Sequence, residues 1–320
     1  VNKENIKKIA ISTLDEEAEA IHALNEHIND EFVHAVEVIL EAEGRVIVTG
    51  IGKSSDIGRK FAATLNSTGT PAFFLHAADA IHGDLGMVRP NDVVVCLSKS
   101  GDTPEIKVLL PLIKANGNVL IGIVGNPQSY LGLQSNIVLN VHVEHEACPN
   151  NLVPTASTAA QLAMCDALAV ALLTARGFTT QDFARLHPGG ALGKKLYLRV
   201  SDLYIRNEKP QVELNTPLTQ VIIEISSKRL GCTAVLDNNQ LVGIITDGDL
   251  RRMLQKNIEL KNVVASDVMT TMPKTIHPSS LVADALDIMR AHNITQLLVT
   301  ENNTYLGVIH LHDILKEGVV

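Results

Sequence analysis

The 320-residue chain has no tryptophan, and aromatic residues make up only 3 % of it. Its cores must therefore come from Ala, Val, Ile and Leu, within an apolar share of 46 %. Positive charge is in deficit: 27 Lys and Arg stand against 35 Asp and Glu, for a net charge of −8. A phosphate backbone demands a basic stripe, so this balance excludes nucleic acid as the main partner. The segment from Asn2 to Asp30, where a basic arm could sit, is mixed and ends acidic. Cysteine is sparse and scattered, at Cys96, Cys148, Cys165 and Cys232, with no CxxC pair. That pattern argues against a zinc-thiolate site and for free thiols in a reducing cytosol. No apolar run reads as a membrane span, and no signal peptide opens the sequence. The expectation is a cytoplasmic chain with no membrane partner, and the length predicts about two domains.

What is present starts with helical apolar spacing at Ile9, Leu14, Ile21, Leu24 and Ile28, read as a helical lead-in over 1–34. A strand–helix alternation follows. Candidate strands lie at 45–49, 72–75, 92–97, 119–124 and 137–141, and candidate helices at 54–67 and 103–115. Runs such as VVVCL and VLIGIV are apolar throughout, as strands buried on both faces of a parallel sheet are. An Ala/Leu-rich helix at about 154–176 is apolar nearly all round and should be buried. The pattern predicts one doubly wound α/β domain over 35–185. A turn-rich linker at 186–201 carries His187-Pro-Gly-Gly-Ala-Leu-Gly193. The remainder repeats itself. Gly243-Ile-Ile-Thr-Asp-Gly-Asp249-Leu aligns with Gly307-Val-Ile-His-Leu-His-Asp313-Ile, and the same offset pairs 233–236 with 297–300. Each copy reads helix, strand, Asn-Asn hairpin turn, strand, helix. Two small α+β repeats, at 202–257 and 268–320, should pack as a pseudo-symmetric pair.

Residues 48–60, VTGIGKSSDIGRK, suggest a phosphate site. A Walker A loop needs glycine where Ile47 stands, and the dinucleotide fingerprint needs glycine where Ser55 stands. What remains is a strand, a Gly-rich turn and a helix start, which still presents free N–H groups to an anion. Two more stretches fall at strand ends: Ser98-Lys-Ser-Gly-Asp-Thr-Pro-Glu105 and Pro154-Thr-Ala-Ser-Thr158. Any one of them alone reads as an ordinary helix cap. Three on one sheet edge, where α/β folds bind ligands, read as a site for a phosphate dianion. Around that edge lie Glu105, Glu146, His82 and His187. Glu105 has a structural reading as well, because a carboxylate is favoured in the first turn of any helix.

These residues resemble a known family. Residues 35–185 resemble a sugar isomerase (SIS) domain, with SKSGDTPE as the phosphate signature, and GIITDGDL and GVIHLHDI resemble a tandem CBS pair. Together TGIGKS, HGDLGMV, SKSGDTPE, EACP, PTAST, HPGGALGKKL and TDGDLRR resemble the D-arabinose 5-phosphate isomerases over nearly the whole chain. The resemblance implies interconversion of arabinose 5-phosphate and ribulose 5-phosphate, supplying Kdo for lipopolysaccharide or capsule. It implies catalytic roles for Lys53, His82, Glu105, Glu146 and His187. It implies substrate contacts from Gly69, Thr70 and His76, beside the phosphate-loop contacts read from Gly52, Ser54, Ser55, Ser98, Ser100, Thr103, Thr155, Ser157 and Thr158. His76 matches a histidine able to take an inhibitory metal. Neither a metal nor an organic cofactor is required. The implied assembly is a homotetramer. The chain departs from the family at Ser55-Asp56, where Gly-His is expected, and at Lys99 and Asp102, where Asn and Glu are expected.

The implied reaction moves a proton between two carbons through a cis-enediol. A carboxylate whose pKa burial raises toward neutrality suits the carbon-bound proton. Glu146, in a loop free to face the sugar, is the first candidate, and Glu105, held down by its helix terminus, the second. His187 would relay protons between oxygens, His82 would open the furanose ring or orient hydroxyls, and Lys53 would balance enediolate charge. The CBS pair would bind a nucleotide or nucleotide-sugar effector through Thr246 and Asp249. Asp313 would serve in the second copy, where His310 replaces the threonine. The competing functions are another sugar-phosphate isomerase and a non-catalytic sugar-phosphate or nucleotide sensor.

Overall fold

The computed structural model describes residues 2–255 and 262–319. The boundaries expected at 1, 257 and 320 fall outside them. The chain divides into two compact units, Val1–Phe183 and Ala184–Val320.

The first unit opens with α1 (Lys3–Ala23) and α2 (Asp30–Glu41), each capped by an asparagine, Asn2 and Asn29, whose side-chain oxygen accepts a backbone N–H. Then come β1 (Val46–Gly50), α3 (Lys53–Ser67), β2 (Ala72–His76), α4 (Ala77–Ala80) and β3 (Val93–Ser98). They are followed by α5 (Pro104–Ala115), β4 (Val119–Val124), α6 (Tyr130–Gln134), β5 (Ile137–Asn140) and α7 (Ala156–Ala175). The five strands are parallel in the order β2-β1-β3-β4-β5. Side chains alternate between faces, as the pleat requires. Val48, Val95, Ile121 and Ile123 join α2, α3 and α7 in one core, while Ile47, Val94, Cys96 and Leu120 join α5 in the other. The helix after β1 thus covers one face and the helix after β3 the opposite one. This is a topological switch point, and it leaves a crevice beyond the carboxyl ends of β1 and β3.

α7 corrects one expectation. It is 20 residues long with a mean hydropathy of 1.6, long and apolar enough by composition to cross a membrane. Here Ala160, Met164, Cys165, Leu168 and Leu172 pack into the first core, so it is the central helix of the unit. Leu24 and Phe32, within the helical lead-in, also belong to that core.

α8 (Thr180–Leu186) spans the division between the units. The second unit continues with α9 (Ala191–Tyr197), α10 (Ser201–Tyr204), β6 (Gln211–Glu213), α11 (Leu218–Lys228), β7 (Cys232–Asp237), β8 (Gln240–Thr246) and α12 (Asp247–Leu254). It closes with α13 (Ala265–Val268), β9 (Thr270–Thr271), β10 (Thr275–Ile276), α14 (Val282–His292), β11 (Gln296–Glu301), β12 (Thr304–His310) and α15 (Leu311–Lys316). Both hairpins turn on Asn-Asn pairs with positive φ, at Asn238-Asn239 and Asn302-Asn303. That is the twist a two-residue hairpin needs. The segment expected as a linker at 186–201 is partly helical and ends buried: Val200 and Leu203 sit in the core of the second repeat, with Val282, Met289 and Leu297. Val263 and Ala265 sit in the core of the first repeat, with Leu218 and Val221. Backbone bonds fix the exchange. Val200 N–H donates to Ser280 and Val282 N–H to Leu198, while Leu218 N–H donates to Val263 and Ala265 N–H to Thr216. Each repeat is closed by the leader of the other.

Candidate active site

The crevice at the switch point holds a cleft of about 250 Å³ lined by Ile51, Lys53, Ser54, Ser98, Lys99, Ser100, Thr103, Pro154, Ser157, Thr158 and Gln161. Three sequence stretches meet there because three strand or helix ends point to one edge. Gly52 turns the chain from β1 into α3 at φ 60° and ψ −135°, a conformation open to glycine, and so places Lys53 and Ser54 at the mouth. Gly101 does the same after β3: its φ is 71°, and a Cβ there would stand 1.9 Å from Ser129 Oγ. Ser98 Oγ accepts from Gly101 N–H at 3.0 Å, and Ser100 Oγ accepts from Asp102 N–H at 3.3 Å, which shapes the loop into α5. Ser55 is different. It is buried, and its hydroxyl donates back to the Gly52 carbonyl at 2.6 Å, away from the cleft.

The third loop departs from expectation. The start of α7 already holds an anion, and that anion is Glu146. Its carboxylate, fully buried, accepts from Thr155 N–H at 2.8 Å, Ser157 N–H at 3.1 Å, Thr155 Oγ1 at 3.2 Å, the Ser157 hydroxyl and Lys99 Nζ at 2.5 Å. Thr155 is thereby spent on the protein itself, and its hydroxyl also accepts from Ala147 N–H. Burial alone would raise the Glu146 pKa. The Lys99 and Ser157 side chains and the two helix-start N–H groups outweigh it and hold the carboxyl down at about 2. The expected shift toward neutrality is therefore reversed. Burial came with a full set of donors, and donors favour the charged form. Lys99, one of the departures from the family pattern, bridges Glu146 to the cleft, as does Ser157.

Among the other candidates, Glu105 is half-buried in the first turn of α5. His82 is exposed after α4, its N–H donating to the Asp79 carbonyl. His76 ends β2, with Nδ1 3.8 Å from an Asp79 carboxylate oxygen. Among the described residues no group of three His, Cys, Asp or Glu side chains is arranged to hold a metal ion. Gly69 and Thr70 precede β2, at the amino edge of the sheet, opposite the cleft. Thr70 Oγ1 accepts from Arg176 Nε at 3.3 Å. His187 begins the turn before α9 and belongs to the second unit.

Three buried side-chain oxygens among the described residues have no partner: Thr49 Oγ1, Thr103 Oγ1 and Gln161 Oε1. Two of them line the cleft. Sequence reading missed Gln161, although a signal was present: it falls on the buried stripe Ser157, Gln161, Met164, Cys165 and Leu168 of an otherwise apolar helix.

In the second unit, Thr246 and Asp249 form a capping box, with Asp249 Oδ2 accepting from Thr246 N–H at 2.9 Å and from its hydroxyl at 2.7 Å. Asp249 also takes Arg252 at 2.6 Å and Thr270 at 3.3 Å. Asp313 accepts from His310 N–H at 3.1 Å and from Asn207 Nδ2 at 2.6 Å. All three candidate nucleotide contacts thus act as helix-start anchors in this structure.

Comparison with known proteins places these features. The SIS domain family matches residues 39–171, and the CBS domain family matches 200–256 and 265–319. The arabinose 5-phosphate isomerase KdsD of Pseudomonas aeruginosa is 49 % identical over 311 residues, covering 96 % of this chain and 95 % of that protein. The enzyme of the same name from Escherichia coli K12 is 46 % identical over 306 residues, covering 95 % and 93 %. A solved structure of Escherichia coli CFT073 c3406 in complex with arabinose 5-phosphate superposes with a TM-score of 0.57 at 37 % identity, covering 59 % of this chain and 100 % of that one. A sugar-phosphate isomerase homologue from Listeria monocytogenes superposes equally, at 0.57 and 36 % identity, over 59 % of this chain and 99 % of that one. With near-complete coverage at such identity, and with an SIS unit followed by two CBS repeats, this chain belongs to the arabinose 5-phosphate isomerase KdsD family.

Proposed function

We propose that this chain interconverts D-arabinose 5-phosphate and D-ribulose 5-phosphate. The observation that carries the reading is the near-full-length identity to arabinose 5-phosphate isomerases. The cleft supports it chemically. Helix-start N–H groups, the hydroxyls of Ser98, Ser100 and Thr103 and the cations Lys53 and Lys99 suit one phosphate monoester with a short hydroxylated chain. Binding energy from the phosphate positions the reacting carbons, and Lys53 offsets the negative charge that develops on the enediolate.

Two carboxylates compete for the carbon-bound proton. Glu146 is ionised across the working pH range and reaches the cleft lining through Ser157 and Lys99, but its low pKa makes it a weak base while those donors hold it. Glu105, without such a donor set, is the second candidate. His82 orients hydroxyls or opens the ring, and His187 keeps the relay role on the family resemblance alone. The test is proton NMR of the purified protein with arabinose 5-phosphate in deuterated water. Ribulose 5-phosphate should form with deuterium at the exchangeable carbon. Of Glu105→Gln and Glu146→Gln, the variant that loses exchange identifies the base. No conversion by the wild type sinks the proposal.

Two further parts of the reading concern assembly and control. Gly69 and Thr70 lie on the wrong edge to meet the cleft of their own chain, and α1 exposes Ile6, Ile9, Ile11, Leu14 and Ile21 with no buried residue. Both features fit a homotetramer in which a second copy completes the site, and light scattering that finds a monomer rejects it. The CBS pair takes a nucleotide or nucleotide-sugar effector, on the strength of the family match. Calorimetry of the full chain with adenine and cytidine nucleotides decides the point, with no heat of binding as the refuting result. A cytoplasmic location and use of the product for Kdo formation follow from the family resemblance. Fractionation of the source cell and the loss of Kdo on gene deletion are their respective checks.

A further inference from the structure

Gln161 is the feature that the reaction scheme leaves unused. It stands on α7 one turn after Ser157, is 1 % exposed, lines the cleft and has a side-chain oxygen with no donor. The positions that continue its stripe, Met164, Cys165 and Leu168, are buried and, apart from one thiol, apolar. A methionine would therefore satisfy the packing. A buried amide oxygen left without a donor costs stability that a hydrogen-bonding ligand recovers.

We propose that Gln161 is a substrate-binding residue of the isomerisation proposed above, its side-chain oxygen accepting a hydrogen bond from a hydroxyl of the open-chain sugar. The chemistry of the acceptor selects the group. An amide oxygen only accepts, and a phosphate dianion has no proton to give, so the partner is a hydroxyl. The phosphate falls to the donors on the other wall: the N–H groups at the start of α5, the hydroxyls of Ser98 and Ser100, and Lys99. Thr103, whose buried hydroxyl is also unpartnered, stands on that wall as the N-cap of α5 and donates to the phosphate. The cleft therefore has a direction, with the phosphate against the β3–α5 turn and the hydroxyl chain against α7.

The test uses the full-length protein carrying Gln161→Met, which keeps the length of the side chain and removes its amide. Three readouts are taken together: thermal melting without ligand, steady-state kinetics with arabinose 5-phosphate, and calorimetric binding of inorganic phosphate. The free variant should melt at or above the wild-type temperature, because an unpaired polar group has gone. Its KM should rise roughly five- to tenfold, the loss of one neutral hydrogen bond, while its affinity for inorganic phosphate stays unchanged. Thr103→Val should show the complement, with weakened phosphate binding. An unchanged KM for Gln161→Met overturns the proposal. So does a loss of inorganic phosphate affinity, which would put the amide at the phosphate end. A variant that melts well below the wild type, or fails to fold, makes the amide structural and overturns it too. A wild type that binds arabinose 5-phosphate without converting it rejects the isomerase reading instead. Calorimetric affinity of wild type and variant for that sugar phosphate then decides the role of Gln161.

Discussion

Glu146 and Lys99 meet at a place where sequence reading expected a ligand, and the meeting has a pH consequence. The folded pKa of Glu146 lies at about 2, below its ordinary 4.5. A depressed carboxylate contributes stability that is fully present above the unfolded value and is lost as pH falls through the folded one. In the wild type this contribution is therefore fully present at neutral pH and declines as pH falls from 4.5 to about 2. Lys99→Met removes one charged donor and raises the Glu146 pKa, so the contribution is smaller and is exhausted at a higher pH. The expected outcome is an acid-unfolding midpoint shifted upward, followed by circular dichroism, with the melting temperature at pH 8 lowered as well. An unchanged midpoint would mean that the helix-start N–H groups hold the carboxylate unaided. Much of the cleft was legible at this scale. Lys53, Ser54, Ser98, Ser100, Thr103, Ser157 and Thr158 do line one cavity, because turn glycines and strand ends leave a local signature. The engagement of Glu146 was not, since burial and donor count depend on which loop folds over which helix start. Gly69 and Thr70 sit on the far edge for a reason visible once β2 is located: they precede the strand, whereas the phosphate loops follow theirs.

The sheet elements were the most readable part of the chain, because strands buried on both faces allow few polar residues. All five sheet strands of the first unit fall within a residue or two of their sequence-based limits. Gly-rich turn chemistry misled at 186–201, where proximity to His-Pro-Gly-Gly suggested a free connection and the chain instead forms α9 and buries Val200. The amino edge of the sheet carries an element-level device of its own. The Asp92 carboxylate is buried and accepts from Arg45 Nη2 at 2.7 Å, Arg45 Nε at 3.2 Å, Arg45 N–H at 2.8 Å and Arg89 N–H at 2.9 Å. Asn118 Nδ2 donates to the Asp92 carbonyl at 2.7 Å. The start of β1, β3 and β4 is thus pinned at the edge away from the cleft. Asp92→Ala leaves the Arg45 and Arg89 N–H groups without their acceptor and should cost about 1–3 kcal/mol of stability. Chemical denaturation measures that loss. Because the damage lies at the opposite edge, the KM of the protein that remains folded should match the wild type. A raised KM would show that the strand register transmits the change.

The chain as a whole is ordered differently in space and in sequence. The internal repeat was legible from its constant offset, but the exchange of leaders was not, since a repeat pattern does not say which copy a flanking segment covers. Val200 opens the first repeat and is buried in the core of the second. Val200→Asp places an unpaired charge in that core. Amide hydrogen exchange should then quicken first in β11 and β12, about a hundred residues away, and later in β7 and β8. Faster exchange confined to β7 and β8 would refute the exchange of leaders. The same arrangement bears on inheritance. A crossover between related genes at the junction of the repeats would give both cores of the hybrid one foreign helix, and each would have to accommodate it. Recombination that joins this unit to another partner finds a less costly cut ahead of residue 198, where the pair travels with both of its leaders. Over evolutionary time the two repeats are expected to move between proteins as one indivisible block.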